Sequence, residues 1–305
     1  MMKNKITLSE KTSHLFILAA AVLWGFIGLS VRKLGAMGLT TAELTLVRSA
    51  AVFVTALILI LLTDSKQLFI RARDIPLFLG SGIMSIVFFN ICYFITQQTL
   101  TLSLACILLY TAPFFVLIMS SVFFGERITT RKLIALLCAF LGCVFSSGFV
   151  SDITGGGGFS VKGLMFGLGS GFGYALYSVF GRAAVKRYGS LTYMLYTFFV
   201  AALALLPFVN VRNIAVCAAS GGAVQLILFS LLFTMLPYLL YTKGLEKTEA
   251  GKASITAFAE PLTAAVVGAA FFSEKPTGWL IIGTVLIFTA VALLSKTEND
   301  AQISN

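Results

Sequence analysis

Two charged side chains sit inside long apolar runs. Glu260 lies in the run 251–272 and Arg48 in the run 42–63. An ionisable group at mid-membrane depth costs about 2.5–3.5 kcal/mol on insertion scales, so it needs a partner, a water-filled cavity or a task. Glu260 is about nine residues into its run, roughly 13 Å at 1.5 Å per residue of helix. Arg48 is about seven residues into its own. At such depth Glu260 could hold a cationic group or carry a coupling proton, and Arg48 could hold a carboxylate. The structural alternatives are an ion pair, a glutamate hydrogen-bonded at the turn before Pro261, or a contact from Arg48 to nearby Glu43.

Polar aromatic residues accompany the two charges. Trp24, Tyr110, Tyr177 and Tyr238 join Arg48 and Glu260 as candidate substrate-binding residues, with Asn90, Gln97 and Thr111 near them. A ring with a polar tip suits a pocket for a small amphipathic solute. The same residue types also anchor helices at the membrane surface, the role expected of Tyr241. Pro113, Pro237 and Pro261 each remove a backbone donor inside an apolar run and mark candidate kinks and hinges. Glu126 and Glu274, at the ends of runs, are expected to fix the turns that follow them. An intramembrane enzyme is disfavoured by what is missing. There is no paired carboxylate set, no Ser/Lys or Ser/His dyad, and His14 is the sole histidine. The five cysteines show no CxxC spacing and read as packing residues. No metal and no cofactor are implied.

The elements that must position these residues are membrane helices. Of 305 residues, 58% are apolar and 11% charged, against about 45–50% and about 25% in soluble domains. A bilayer core takes about 20 apolar residues per helix. Ten such stretches are expected, near 14–33, 42–63, 75–97, 101–124, 131–149, 161–181, 190–209, 219–242, 251–272 and 277–295. The first reads as an uncleaved helix, and the junction at Asn210, Arg212 and Asn213 is the least marked. With the N-terminus inside, 16 lysines and arginines fall in cytoplasmic segments and five outside, so both termini are expected in the cytoplasm of a multi-pass protein of the cell membrane. The net charge of +10 follows from those loops and from contact with lipid headgroups. It forms no patch suited to nucleic acid.

The chain also repeats. An offset of 148 residues aligns 105–129 with 253–277 at seven of 25 positions, among them Pro113/Pro261 and Glu126/Glu274. It also lays Trp24-Gly25-Phe26 on Phe172-Gly173-Tyr174. Five helices per copy is an odd number, so the second copy must be inverted in the membrane, an architecture suited to alternating access around a midplane site. The expected organisation is a tail 1–13, a first repeat 14–149, a Gly-rich linker 150–160 containing Gly155 to Gly158, a second repeat 161–295 and a tail 296–305. Gly167 and Gly171, four apart, offer a face for close helix contact.

The repeated residues carry a resemblance. Ala21-Val22-Leu23-Trp24-Gly25, Arg48, Thr111-Ala112-Pro113 and Phe124-Gly125-Glu126-Arg127 are answered by Tyr177, Gly181-Arg182, Pro237, Glu260-Pro261 and Phe272-Ser273-Glu274-Lys275. Over nearly its whole length the chain resembles the EamA-type family of the drug/metabolite transporter superfamily. One departure is Ala135, where the family's usual glycine is kept only in the second copy, as Gly283. The resemblance implies ten helices in two repeats and export of small metabolites, often amino acids, by a monomer or a homodimer. The expected function is therefore secondary transport of a small-molecule substrate. An uncoupled facilitator or channel, or an exporter of nucleosides, cationic drugs or polyamines, is the alternative.

Overall fold

A computed structural model describes residues 10–147, 160–272 and 278–303, and these form helices joined by short turns. The linker glycines Gly155 to Gly158, together with Ser273, Glu274 and Lys275, lie outside the described residues. Helices are the form an apolar chain takes in lipid, because each satisfies its own backbone hydrogen bonds. In chain order the first half contains α1 (Glu10–Gly25), α2 (Ile27–Ala36), α3 (Thr41–Thr63), α4 (Ile75–Gly80), α5 (Phe89–Thr99), α6 (Leu102–Leu109), α7 (Ala112–Phe124) and α8 (Thr130–Ser146). The second half contains α9 (Val161–Val185), α10 (Ser190–Leu205), α11 (Val211–Cys217), α12 (Ala223–Ile227), α13 (Leu236–Gly244), α14 (Ala250–Thr256), α15 (Ala259–Phe272) and α16 (Gly278–Ile303). The protein is a multi-pass membrane protein.

Six helical stretches among the described residues are long and apolar enough to cross a bilayer: Lys11–Ala36, Thr41–Thr63, Ala72–Thr99, Leu104–Phe124, Ser190–Phe208 and Val211–Gly244. The apolar part of α16, Gly278–Leu294, is shorter. α9 is 25 residues long, but its five glycines between Gly163 and Gly173 dilute its hydropathy. Helix starts are set locally. Thr40 and Glu43 form a reciprocal capping box for α3, and the hydroxyls of Thr101, Thr129 and Ser160 accept from the backbone of the turns that follow.

Several boundaries differ from the apolar runs. The first helix is already formed at Glu10, where the described residues start, and the helix after the Asn210 junction begins at Val211, eight residues before the run at 219. Asn210 causes that early start, its side chain accepting from the backbone N–H of Arg212. The extra length is absorbed at Ser220 and Gly221, where the backbone leaves helical geometry with Gly221 at φ 95°.

The irregular points of the two halves correspond. α6 and α7 are separated at Tyr110–Thr111, while α14 and α15 are separated at Ala257–Phe258, positions related by the 148-residue offset to within one residue. Wide π-type turns occupy Ser81–Phe88 in the first half and Leu228–Met235 in the second, again matched to within one residue. Phe89 occupies the first-half position matched to Pro237, so proline is not the common cause. Side chains bonding back to the helix are shared instead: Ser85 to the Ser81 carbonyl and Thr234 to the Phe229 carbonyl.

Packing follows the same correspondence. α3 lies against α10, and α8 against α16. α1 packs on α13 and α15, while α9 packs on α5 and on α6 and α7. Exchanging the halves maps the α3–α10 and α8–α16 pairings onto themselves, and the pairings of α1 with α13 and α15 onto those of α9 with α5 and α7. Gly167 and Gly171 form the closest part of the α9 contact, since a Cβ at Gly171 would meet Thr111 Oγ1 at 2.4 Å and the Leu108 carbonyl at 2.8 Å.

Candidate substrate site

The two helix breaks place the candidate residues at the centre of the bundle. Tyr110 ends α6, and Pro113 stands in the first turn of α7, where the missing N–H of proline costs nothing. Glu260 stands in the first turn of α15, beside Pro261. The Tyr174 hydroxyl donates to Glu260 Oε2 at 3.3 Å, and the Tyr110 hydroxyl also faces that carboxyl. Tyr110 in turn lies against Phe258 with ring centroids 5.6 Å apart. A narrow cavity of about 10 Å³ runs between Tyr110, Tyr174, Tyr241 and Phe258, room for no more than one water molecule.

An aromatic wall continues from there. The Tyr238 ring meets Trp24 at 5.1 Å, Tyr177 at 4.9 Å and Phe198 at 4.8 Å between centroids. Two neighbouring hydroxyls are satisfied inside the protein: Tyr177 bonds Thr242 at 2.9 Å, and Tyr241 bonds Ser178 at 2.7 Å. Tyr241 is thus a member of this buried wall, against Trp24 at 5.3 Å, and not a surface anchor. The sequence misplaced it because its distance from the end of an apolar run does not reveal which way its ring turns.

Arg48 takes a third position. Its Nη2 donates to Asn90 Oδ1 at 2.8 Å, and Thr45 Oγ1 donates to the same oxygen at 3.2 Å. Asn90 is itself oriented by donating to the Ile86 carbonyl at 2.6 Å, inside the wide turn of the first half. Arg48 does not bind Glu43, whose carboxylate accepts from the Thr40 backbone at 2.8 Å and from Asn213 Nδ2 at 2.9 Å. Among the described residues no ion pair joins Arg48 to Glu260. Both are only half-buried, Arg48 Nε is without a hydrogen-bond partner, and Tyr238 lies within electrostatic reach of both.

Trp24 and Tyr177 therefore each meet Tyr238 directly. Tyr110 and Glu260 join them through Tyr174 and Tyr241, and Arg48 approaches through Tyr238. Pro113 and Pro261 sit beside the site, at the breaks. Pro237 follows the wide turn and contacts no break of its own. Tyr174 and Thr45 were missed by the sequence reading. Tyr174 could have been found, since it lies one turn from Tyr177 on the same helix face. Glu126 holds no local turn. Its two oxygens accept from the backbone N–H groups of Ala250 at 3.0 Å and Gly251 at 3.2 Å, capping α14 in the other half.

Comparison with known proteins gives this arrangement its family. The profile of the EamA-like transporter family matches residues 11–148 and again 161–296. The pseudopaline exporter CntI of Pseudomonas aeruginosa is 27% identical over 295 residues, covering 94% of this chain and 97% of that protein. An uncharacterized transporter of Bacillus subtilis, YdfC, is 23% identical over 284 residues, covering 93% and 90% respectively. One solved crystal structure superposes with a TM-score of 0.77 at 17% identity over 96% of this chain and 99% of that one, a likeness of fold. The two matched segments cover nearly the entire chain, which belongs to the EamA-like transporter family and is a transporter, not an enzyme.

Proposed function

We propose that the protein is a secondary exporter of a small metabolite, an amino acid or a related compound, working by alternating access between two inverted five-helix halves of ten spans in all. The first half is 14–149 and the second 161–295, joined by a linker at 150–160, with both termini in the cytoplasm. The observation that carries this reading is a half-buried Arg48 and a half-buried Glu260 that form no ion pair with each other, both within electrostatic reach of Tyr238. A site with one cation, one carboxyl and an aromatic wall matches a zwitterion, the carboxylate toward Arg48 and the ammonium toward Glu260 and the rings. Trp24, Tyr110 and Tyr177 complete the wall.

Matched helix breaks at Tyr110–Thr111 and Ala257–Phe258 support movement of the halves about a shared centre. Pro113 and Pro261 then act as hinge residues, with Pro237 a secondary one. The outward direction draws support from the relative named as an exporter. Purified protein in proteoliposomes tests the proposal through flux of a panel of amino acids, nucleosides and polyamines, with and without a proton gradient. Saturable flux of an amino acid that falls at least tenfold in Arg48→Gln is expected. Flux confined to polyamines or nucleosides, unaffected by Arg48→Gln, would refute the zwitterion site.

A further inference from the structure

Arg48 and Glu260 are partly exposed although they lie deep in the bundle. Lipid does not account for this, since ionisable groups inside a span face the bundle interior or a water-filled cavity. Toward the face of the N-terminus the way is shut. Trp24, Tyr110, Tyr177, Tyr238 and Tyr241 are buried, and the gap of about 10 Å³ between Tyr110, Tyr174, Tyr241 and Phe258 admits no more than one water molecule. Beyond that wall the halves are tied together. Arg187 Nη1 donates to Asp74 Oδ1 at 2.6 Å, Lys132 pairs with Glu249 at 2.6 Å, and Thr192 donates to the Gln67 carbonyl at 2.9 Å. Water therefore enters from the opposite face.

α5 carries a polar stripe in that direction. It completes the third span from the N-terminus, Ala72–Thr99, so its last turn lies on the face away from Glu10. Asn90, Tyr93 and Gln97 are three and four residues apart, on one side of the helix, and cover about 10 Å at 1.5 Å per residue. Asn90 accepts from Arg48 Nη2 at 2.8 Å. The Tyr93 hydroxyl lies 3.4 Å from Cys106 Sγ on α6, within electrostatic reach of Glu260, and the Gln97 side chain faces it from the outer turn. The Tyr93 ring stacks on Phe89 at 6.0 Å, and Phe89 meets Tyr174, the partner of Glu260, at 5.5 Å. Asn90, Tyr93, Gln97 and Cys106 are all partly exposed. The neighbouring side of α5 shows Ile91, 50% exposed, and Phe94, 39% exposed, which suits lipid.

We propose that Asn90, Tyr93, Gln97 and Cys106 line a water-filled passage from Arg48 and Glu260 to the face opposite the N-terminus, the outer leg of the solute path. The inference rests on the transport reading and supplies its route. Amide and phenol groups both donate and accept, so they can hydrogen-bond an ammonium or a carboxylate in passing without the charge that would retain either. The test is thiol modification of the full-length protein in sealed membrane vesicles of each orientation. A permanently charged, membrane-impermeant methanethiosulfonate is the probe, peptide mass spectrometry locates the adduct, and a reporter fused to the N-terminus identifies the faces. Native Cys106 reports in wild type. Gln97→Cys and Ile91→Cys, each combined with Cys106→Ser, compare the stripe with the lipid side of the same helix.

Modification at Cys106 and at position 97 is expected from the face opposite the N-terminus. Position 97 should react about tenfold faster than position 91, because the thiolate is the nucleophile and forms where water reaches it. Equal rates at 97 and 91, faster modification from the face of the N-terminus, or no adduct at either 97 or 106 would overturn the passage. If the position 97 variant does not fold, Cys106 compared between the two faces carries the result. The probe needs no transported solute. A flux panel that fails while 97 and 106 are modified would therefore reject the exporter reading and leave the passage standing, whereas flux without modification would reject the passage alone.

Discussion

Glu126 offers a direct test of how the halves are joined. It is 8% exposed, and each of its oxygens accepts one backbone N–H from the start of α14, 124 and 125 residues further along the chain. Arg182 Nε lies 3.9 Å from Oε1. Glu126→Ala leaves two buried donors unmet, each costing about 1–3 kcal/mol. Water can enter from a cavity that Glu126 lines and recover part of that, which favours the lower end, about 2 kcal/mol in total. For a chain of 305 residues, at about 2.1 cal/mol/K of unfolding entropy per residue, that is a fall of about 3 °C in Tm. Glu126→Gln keeps one acceptor and turns an amide N–H toward the other donor, so it should lose about half as much. Thermal unfolding of the three proteins in one detergent measures the series. An alanine variant within 1 °C of wild type, or a glutamine variant no better than alanine, would refute the reasoning that these two bonds hold the halves together.

Three further outcomes are expected. Reporter fusions at Asn305 and within Gly155 to Gly158 should report the cytoplasm and the outside respectively, as the 16-to-five distribution of basic residues requires; the same compartment for both would reject ten spans. Glu260→Gln should still bind substrate, with flux no longer responding to a proton gradient. A gradient response equal to wild type would leave Glu260 as a hydrogen-bond partner for Tyr174. Gly171→Ala should destabilise by about 1–3 kcal/mol through overpacking, because its Cβ would meet Thr111 Oγ1 at 2.4 Å and a backbone carbonyl at 2.8 Å. Thermal unfolding reads this, and an unchanged Tm would show that α9 can move away from α6 at no cost.

Much of the fold was legible because membrane helices are written in run length and charge, which need no tertiary information. The repeat was legible because Pro113/Pro261 and Glu126/Glu274 keep identity at one offset. Side-chain direction was not. Tyr241 was assigned to the surface and Tyr174 passed over, since depth along a helix says nothing of azimuth when apolar residues cover every face. Arg48 was singled out by its depth in an apolar run, but its partner Asn90 comes from another helix, 42 positions away. Glu126 was read as local for a similar reason: a capping carboxylate beside its own turn looks the same in sequence as one that caps a distant helix.

The two-fold scaffold and the one-fold chemistry are connected. Tyr110 and Phe258, equivalent under the 148-residue offset, stack on each other at 5.6 Å, so they lie where the halves meet. Asn90 and Tyr238, another equivalent pair, both border the site, one bonding Arg48 and the other within electrostatic reach of both charges. The charges themselves are unique: the counterpart of Arg48 is Tyr196, whose hydroxyl donates to the Leu68 carbonyl, and the counterpart of Glu260 is Ala112. Strict duplication would set two guanidinium groups and two carboxyls around one poorly hydrated centre, where like charges repel strongly. Divergence at these two positions removes that repulsion and gives the centre a polarity, basic toward Arg48 and acidic toward Glu260. On the proposed alternating-access reading, the backbone would exchange between two equivalent arrangements while a dipolar solute kept a single orientation relative to the protein.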